Sequence, residues 1–134
     1  MPHCVILYTP NIESRTDVSA LCRKLADSML TVLDEAGKQV FPTGGTRVLA
    51  YPAAHYAVAD GKGDYAFVYI NVRMGSGRSD AVKKNAGDTL LAVVKQHFAP
   101  IFDETLIGIT LQIDESPGQV YDAKHSTLHP LFNK

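Results

Sequence analysis

Tyr65-Ala-Phe-Val-Tyr-Ile-Asn-Val72, followed by Met74-Gly-Ser-Gly77 and then by Arg78-Ser79-Asp80, is the stretch that decides the fold. Its first eight residues are aromatic, β-branched or apolar at almost every position, as in a central strand buried on both faces. The glycines end that strand. Ser79 is a favourable N-cap, and behind it Val82, Ala86, Leu90, Val93, Val94, His97 and Phe98 recur at helical spacing toward Pro100. Residues 105–113 then return to a strand pattern, so the unit is strand, helix, strand.

The same order precedes it. His3-Cys-Val-Ile-Leu-Tyr8 is a short apolar run closed by Thr9-Pro10-Asn11, which predicts a buried strand and a turn. Across residues 16–36, Val18, Leu21, Cys22, Leu25, Met29, Val32 and Leu33 form a helical stripe, with Ser14 or Thr16 as N-cap and Gly37 just past the end. Pro42-Thr-Gly-Gly45 makes a turn, residues 46–51 a strand ending near Pro52, and Asp60-Gly-Lys-Gly63 the next turn. Ser14-Arg15-Thr16-Asp17 recurs in kind as Gly77-Arg78-Ser79-Asp80. The chain therefore divides into pseudo-repeats at about residues 1–60 and 64–115 of a single domain, with a tail at 116–134 anchored by its apolar end.

Two right-handed β-α-β units predict an α/β (α+β) fold: one four-stranded sheet with both helices on one face. The other face is left bare. Strands as apolar as 65–72 want that face covered, and a second copy of the chain is the simplest cover. The expectation is a closed homo-oligomer, a three-fold ring or a dimer, whose tail could reach a neighbouring subunit.

Composition narrows the function. The 134 residues are 46% hydrophobic and 20% charged, an average globular balance that argues against disorder and coiled coil. Thirteen basic and fourteen acidic residues give a net charge of −1, so no broad positive field exists to hold a nucleic acid. No signal-peptide pattern or long apolar span is present, which predicts a soluble cytoplasmic protein without membrane association. Cys4 and Cys22 are too few and too far apart for a disulfide framework or a CxxC pair, and read as reduced core residues.

Chemistry must come from local groups. Pro2 follows Met1, and loss of that methionine would leave a secondary amine at the chain terminus. An α-amino group has an ordinary pKa of about 7.7–8.0, and apolar surroundings or a nearby guanidinium favour its neutral, basic form. Such an amine can move protons. Arg47, after Gly44-Gly45, and Arg78, in the glycine-rich turn before a helix, are candidate carboxylate anchors; the turn's backbone N–H groups would add positive character. His3, His55, His97, His125 and His129 show no metal-ligand spacing, and His125 and His129 read as solvated tail residues. No nucleophile motif surrounds any serine, and Gly75-Ser-Gly77 lacks phosphate-loop spacing.

Pro2, the duplicated units and Gly77-Arg78-Ser79-Asp80 together resemble the tautomerase superfamily and, within it, the 5-carboxymethyl-2-hydroxymuconate isomerase family. The resemblance runs along Met1-Pro2-His3, Asn11-Ile12, Ala59-Asp60-Gly61, Asp64-Tyr-Ala-Phe-Val68, Gly75-Ser-Gly-Arg-Ser79, Ala86-Gly87, His97-Phe98 and His129-Pro-Leu-Phe132. It implies a trimer, no cofactor, a small carboxylate substrate and a place in homoprotocatechuate breakdown. It further implies that Pro2 is the catalytic base and that Arg47 and Arg78 bind substrate carboxylates and the developing oxyanion. Members of the family can carry a second Arg two positions after the one matched by Arg47; here that position is Leu49. The departure leaves open another proline-based tautomerase acting on a smaller α-keto acid. A non-catalytic binding protein on the same fold is the remaining alternative.

Overall fold

The computed structural model describes residues 3–132. Strands β1 (His3–Tyr8), β2 (Val48–Pro52), β3 (Tyr65–Gly75) and β4 (Leu106–Ser116) form one sheet in the order β2-β1-β3-β4. β1 and β2 run parallel, as do β3 and β4, while β1 and β3 meet antiparallel at the centre. Helix α1 (Val18–Met29) links the first parallel pair and α2 (Asp80–Phe102) the second. This is the expected four-stranded sheet with two helices on one face.

Strand alternation explains the layers. Cys4, Ile6 and Tyr8 of β1, and Ala66, Val68, Ile70, Val72 and Met74 of β3, point to the helices and are buried. They meet Leu21, Leu25 and Met29 of α1 and the ladder Val82, Ala86, Leu90, Val94 and Phe98, one at every fourth position of α2. Each such leucine contributes about 1.5–3 kcal/mol by leaving water. The intervening positions face away, and there Leu7, Leu49, Tyr51 and Phe67 remain exposed.

α1 is shorter than its apolar stripe predicts. Its N-cap is Asp17, whose carboxylate accepts from Ala20 N at 3.0 Å; Thr16 is drawn away, its hydroxyl pairing with His97 Nε2 at 2.8 Å. The helix stops at Met29 because the next residues have better backbone partners. Asp34 Oδ1 accepts from the N–H groups of Ala36 and Lys38 at 2.9 Å each, and Val40 N donates to Val32 O at 3.0 Å. These bonds fold residues 32–40 into a hairpin, with Gly37 at φ +79° in the turn rather than capping a helix. Val32, Val40 and Phe41 stay buried, so the stripe is satisfied without helix.

β2 starts at Val48, two residues after its expected start, and ends on Pro52; as the sheet edge it tolerates the missing N–H. β3 and β4 each extend three residues past their predicted ends at 72 and 113. Pro100 lies inside α2, which continues to Phe102. The tail ends in a short helix, α3 (Leu128–Phe132), packed on the turn Thr43–Gly45 of its own chain. A side chain on Gly44 would bring its Cβ to 3.3 Å from His129 Cα, so this close approach uses the absence of one. Among the described residues, no helix is long and apolar enough to cross a membrane.

Candidate active site

The antiparallel centre brings the start of β1, the start of β2 and the end of β3 to one edge of the molecule. His3 pairs with Arg73, and Arg73 in turn with Asp114 of β4. Cys4 N donates to Arg47 O at 2.9 Å. Pro2 itself lies outside the described residues. Cys4, two positions along the chain from it, fixes Arg47 beside the beginning of β1.

Arg47 is exposed and lines two clefts. One, of about 560 Å³, lies between α1 and the tail helix, with Cys22, Arg23, Leu128 and Phe132 on its walls. The other, of about 490 Å³, has Thr46 and Arg47 on one side and Lys124, His125, Ser126 and His129 on the other. Lys124 was not singled out by local pattern, and the two histidines were expected in solvent. The return of the tail over Gly44 puts all three beside Arg47. Only the apolar residues at positions 128, 131 and 132 hinted at such anchoring.

Arg78 is differently placed. Its guanidinium donates to Gly75 O at 3.3 Å and to Val40 O at 3.0 Å, and it is half-buried. It ties the β3–α2 turn to the hairpin at 32–40, with N–H groups of its five to spare. It lines neither of the two Arg47 clefts. Ser79 caps α2 as expected, accepting from Val82 N at 3.2 Å, and donates to Glu35 Oε2 at 2.6 Å. The helix N-terminus offered to an external anion thus already has a carboxylate at its cap.

The remaining ionisable groups near the core are unsuited to nucleophilic work. Burial, with a smaller contribution from Cys22, pushes the Cys4 thiol up to about 12, and burial raises Cys22 as well; both are free thiols. Tyr8 is pushed to about 12 by burial and by its 2.5 Å hydrogen bond to Glu13, so it remains a phenol. No group of three His, Cys, Asp or Glu side chains gathers as a metal site among the described residues.

An exposed arginine whose backbone is bonded to the start of β1, lining two clefts in which no thiol or phenol is activated, suits binding of a carboxylate more than attack upon it. A curated 5-carboxymethyl-2-hydroxymuconate Delta-isomerase from Escherichia coli is 29% identical over 132 residues, which cover 98% of this chain and 99% of that one. A crystal structure of a 5-carboxymethyl-2-hydroxymuconate delta-isomerase is 53% identical with a TM-score of 0.94, covering 100% of this chain and 94% of its own. Another, of a 5-carboxymethyl-2-hydroxymuconate isomerase from Deinococcus radiodurans R1, is 34% identical with a TM-score of 0.84 and coverage of 99% and 95%. The family model for 5-carboxymethyl-2-hydroxymuconate isomerase matches residues 2–132. With nearly its whole length matched, the chain belongs to the 5-carboxymethyl-2-hydroxymuconate isomerase family and is an isomerase.

Proposed function

We propose that this isomerase interconverts the 2-hydroxy dienol and conjugated keto forms of 5-carboxymethyl-2-hydroxymuconate, without a cofactor, in the breakdown of homoprotocatechuate. Pro2, freed by removal of Met1, is the general base. Its neutral amine takes the proton of the 2-hydroxyl, and the prolinium returns it to a carbon farther along the conjugated chain. One O–H bond breaks and one C–H bond forms, with no net oxidation. Between the two steps the substrate is a dienolate. Arg47 holds a substrate carboxylate, and the spare N–H groups of Arg78 stabilise the oxyanion. A cation beside the amine would also favour its neutral form.

The observation that carries this reading is the 2.9 Å hydrogen bond from Cys4 N to Arg47 O, which holds the backbone of an exposed arginine beside the start of the strand that Pro2 precedes. The test follows the ultraviolet absorbance of the dienol with wild type and Pro2→Ala, after intact mass has established whether Met1 is gone. The wild type should consume the dienol far above the buffer rate and Pro2→Ala should lose about 10²-fold or more. Retention of Met1 in an active protein would sink the role of Pro2. Leu49, standing where a second Arg can occur in the family, favours one other reading: a smaller α-keto acid as substrate. Turnover of phenylpyruvate enol, but not of the tricarboxylate, would select it.

The working form is a homo-oligomer, a trimer by the family resemblance, assembled through the bare sheet face. The chain exposes 8338 Å². A monomeric protein of this mass exposes roughly 6,900 Å². On the bare sheet face Tyr51, Leu7 and Tyr69 form a cross-strand row and Leu49 and Val5 a second.

A further inference from the structure

The cleft shared by Arg47 and the returning tail has a second cationic wall. It encloses about 490 Å³, a size suited to a small polycarboxylate, and no acidic side chain is among the residues that line it. His129 is committed within the tail, its ring Nδ1 lying 2.8 Å from Ser126 Oγ. Lys124 is held more loosely. Its ammonium stands 2.9 Å from Asp122 Oδ2, two residues away, with the side chains 40% and 41% exposed. A short-range pair so open to solvent is weak and readily exchanged. Opposite it, the exposed Arg47 lines the same cleft.

We propose that Lys124 is a specificity-determining binding residue of this isomerase: it leaves Asp122 to take a second carboxylate of a substrate whose first carboxylate is held by Arg47. The tail thereby supplies the cation that Leu49 cannot. A monocarboxylate needs Arg47 alone, whereas a di- or tricarboxylate spans both walls. Asp122 is the competing internal anion, so the two residues have opposite effects on affinity. This assignment rests on the functional reading above for its substrate, though not for its chemistry.

The test compares wild type, Lys124→Gln, Lys124→Arg and Asp122→Asn with 5-carboxymethyl-2-hydroxymuconate and with phenylpyruvate enol. Lys124→Gln should raise KM for the tricarboxylate roughly ten-fold, the size of one charge-assisted hydrogen bond, with kcat within about two-fold. Its KM for the monocarboxylate should not change. Lys124→Arg should restore most of the affinity, and Asp122→Asn should lower KM, an outcome that damage to the tail would not produce. A tricarboxylate KM for Lys124→Gln within two-fold of wild type overturns the assignment, as does a raised KM for Asp122→Asn. If wild type does not isomerise the tricarboxylate, the functional reading fails on its own. The wall is then judged by calorimetric titration with tricarballylate: at least about five-fold weaker binding to Lys124→Gln sustains it, and equal binding overturns it.

Discussion

Arg78 Nη2 donates to the carbonyl oxygen of Val40 at 3.0 Å, so the turn that begins α2 is fastened to the hairpin that ends the α1 connection. The two elements lie far apart in sequence, and Ser79 adds a second bond between them, to Glu35. A half-buried guanidinium is well suited to the task, because its fixed fork serves two carbonyls and still presents unused donors.

Replacing Arg78 should therefore cost both stability and rate. Arg78→Ala leaves Val40 O without its donor, and a hydrogen bond from a charged group contributes about 1.5–3 kcal/mol. We expect the urea midpoint to fall accordingly and kcat/KM to fall with it. Arg78→Lys should recover part of the stability, since one ammonium can reach one carbonyl, but little of the rate. Equal recovery of both would show that Arg78 acts only by fastening the hairpin.

What local sequence could reveal is visible in this same turn. Ser79 ahead of an apolar ladder at every fourth position declares a helix start, and the structure bears it out with the Val82 N bond. The end of α1 was not legible, because Val32 and Leu33 continue the helical spacing. It is the Asp34 carboxylate, bonded to two N–H groups beyond it, that turns the chain. The neighbours of Arg47 were not legible either: Lys124, His125 and His129 come to it only through tertiary return of the tail. Periodicity sees elements, and contacts between distant irregular segments carry no period.

Gly44 tests that return. With His129 Cα only 3.3 Å from where a Cβ would stand, Gly44→Val must push α3 away from the Thr43–Gly45 turn. The core lies elsewhere, so the denaturation midpoint should move little. Trypsin should cut after Lys124 several-fold faster than in wild type, because the released segment is more accessible. An unchanged cleavage rate would mean that the tail is held by contacts other than this one.

His97 makes the fold sensitive to acid. Burial, then the nearby Lys24 charge, lower its pKa below the ordinary 6.5, with Asp17 opposing. The Lys24 ammonium donates to Nδ1 at 3.2 Å, which requires Nε2 to carry the proton and donate to Thr16 Oγ1 at 2.8 Å. Folding thus favours the neutral ring. As pH falls below about 6.5 the unfolded chain binds a proton that the folded one resists, so stability declines until the lowered folded pKa is passed. Urea midpoints measured from pH 7.5 down to 5 should fall across that window, and His97→Gln should flatten the slope. The same slope in the variant would place the acid sensitivity in other groups.

The bare sheet face gives the remaining prediction. Leu7 lies between Tyr51 and Tyr69 in the cross-strand row and is 46% exposed in the isolated chain, although its neighbours offer it an apolar setting. A leucine there gains little from folding alone and much from a second subunit laid across it. Sedimentation of the wild type should give a mass well above the 14.6 kDa of one chain. Leu7→Arg should shift it toward 14.6 kDa, because a guanidinium cannot be buried in that row without a partner. Its side chain points away from the helices, so the far-ultraviolet circular dichroism of the variant should match that of wild type. A variant that keeps the wild-type mass would show that subunits meet through another surface, with the row left to solvent.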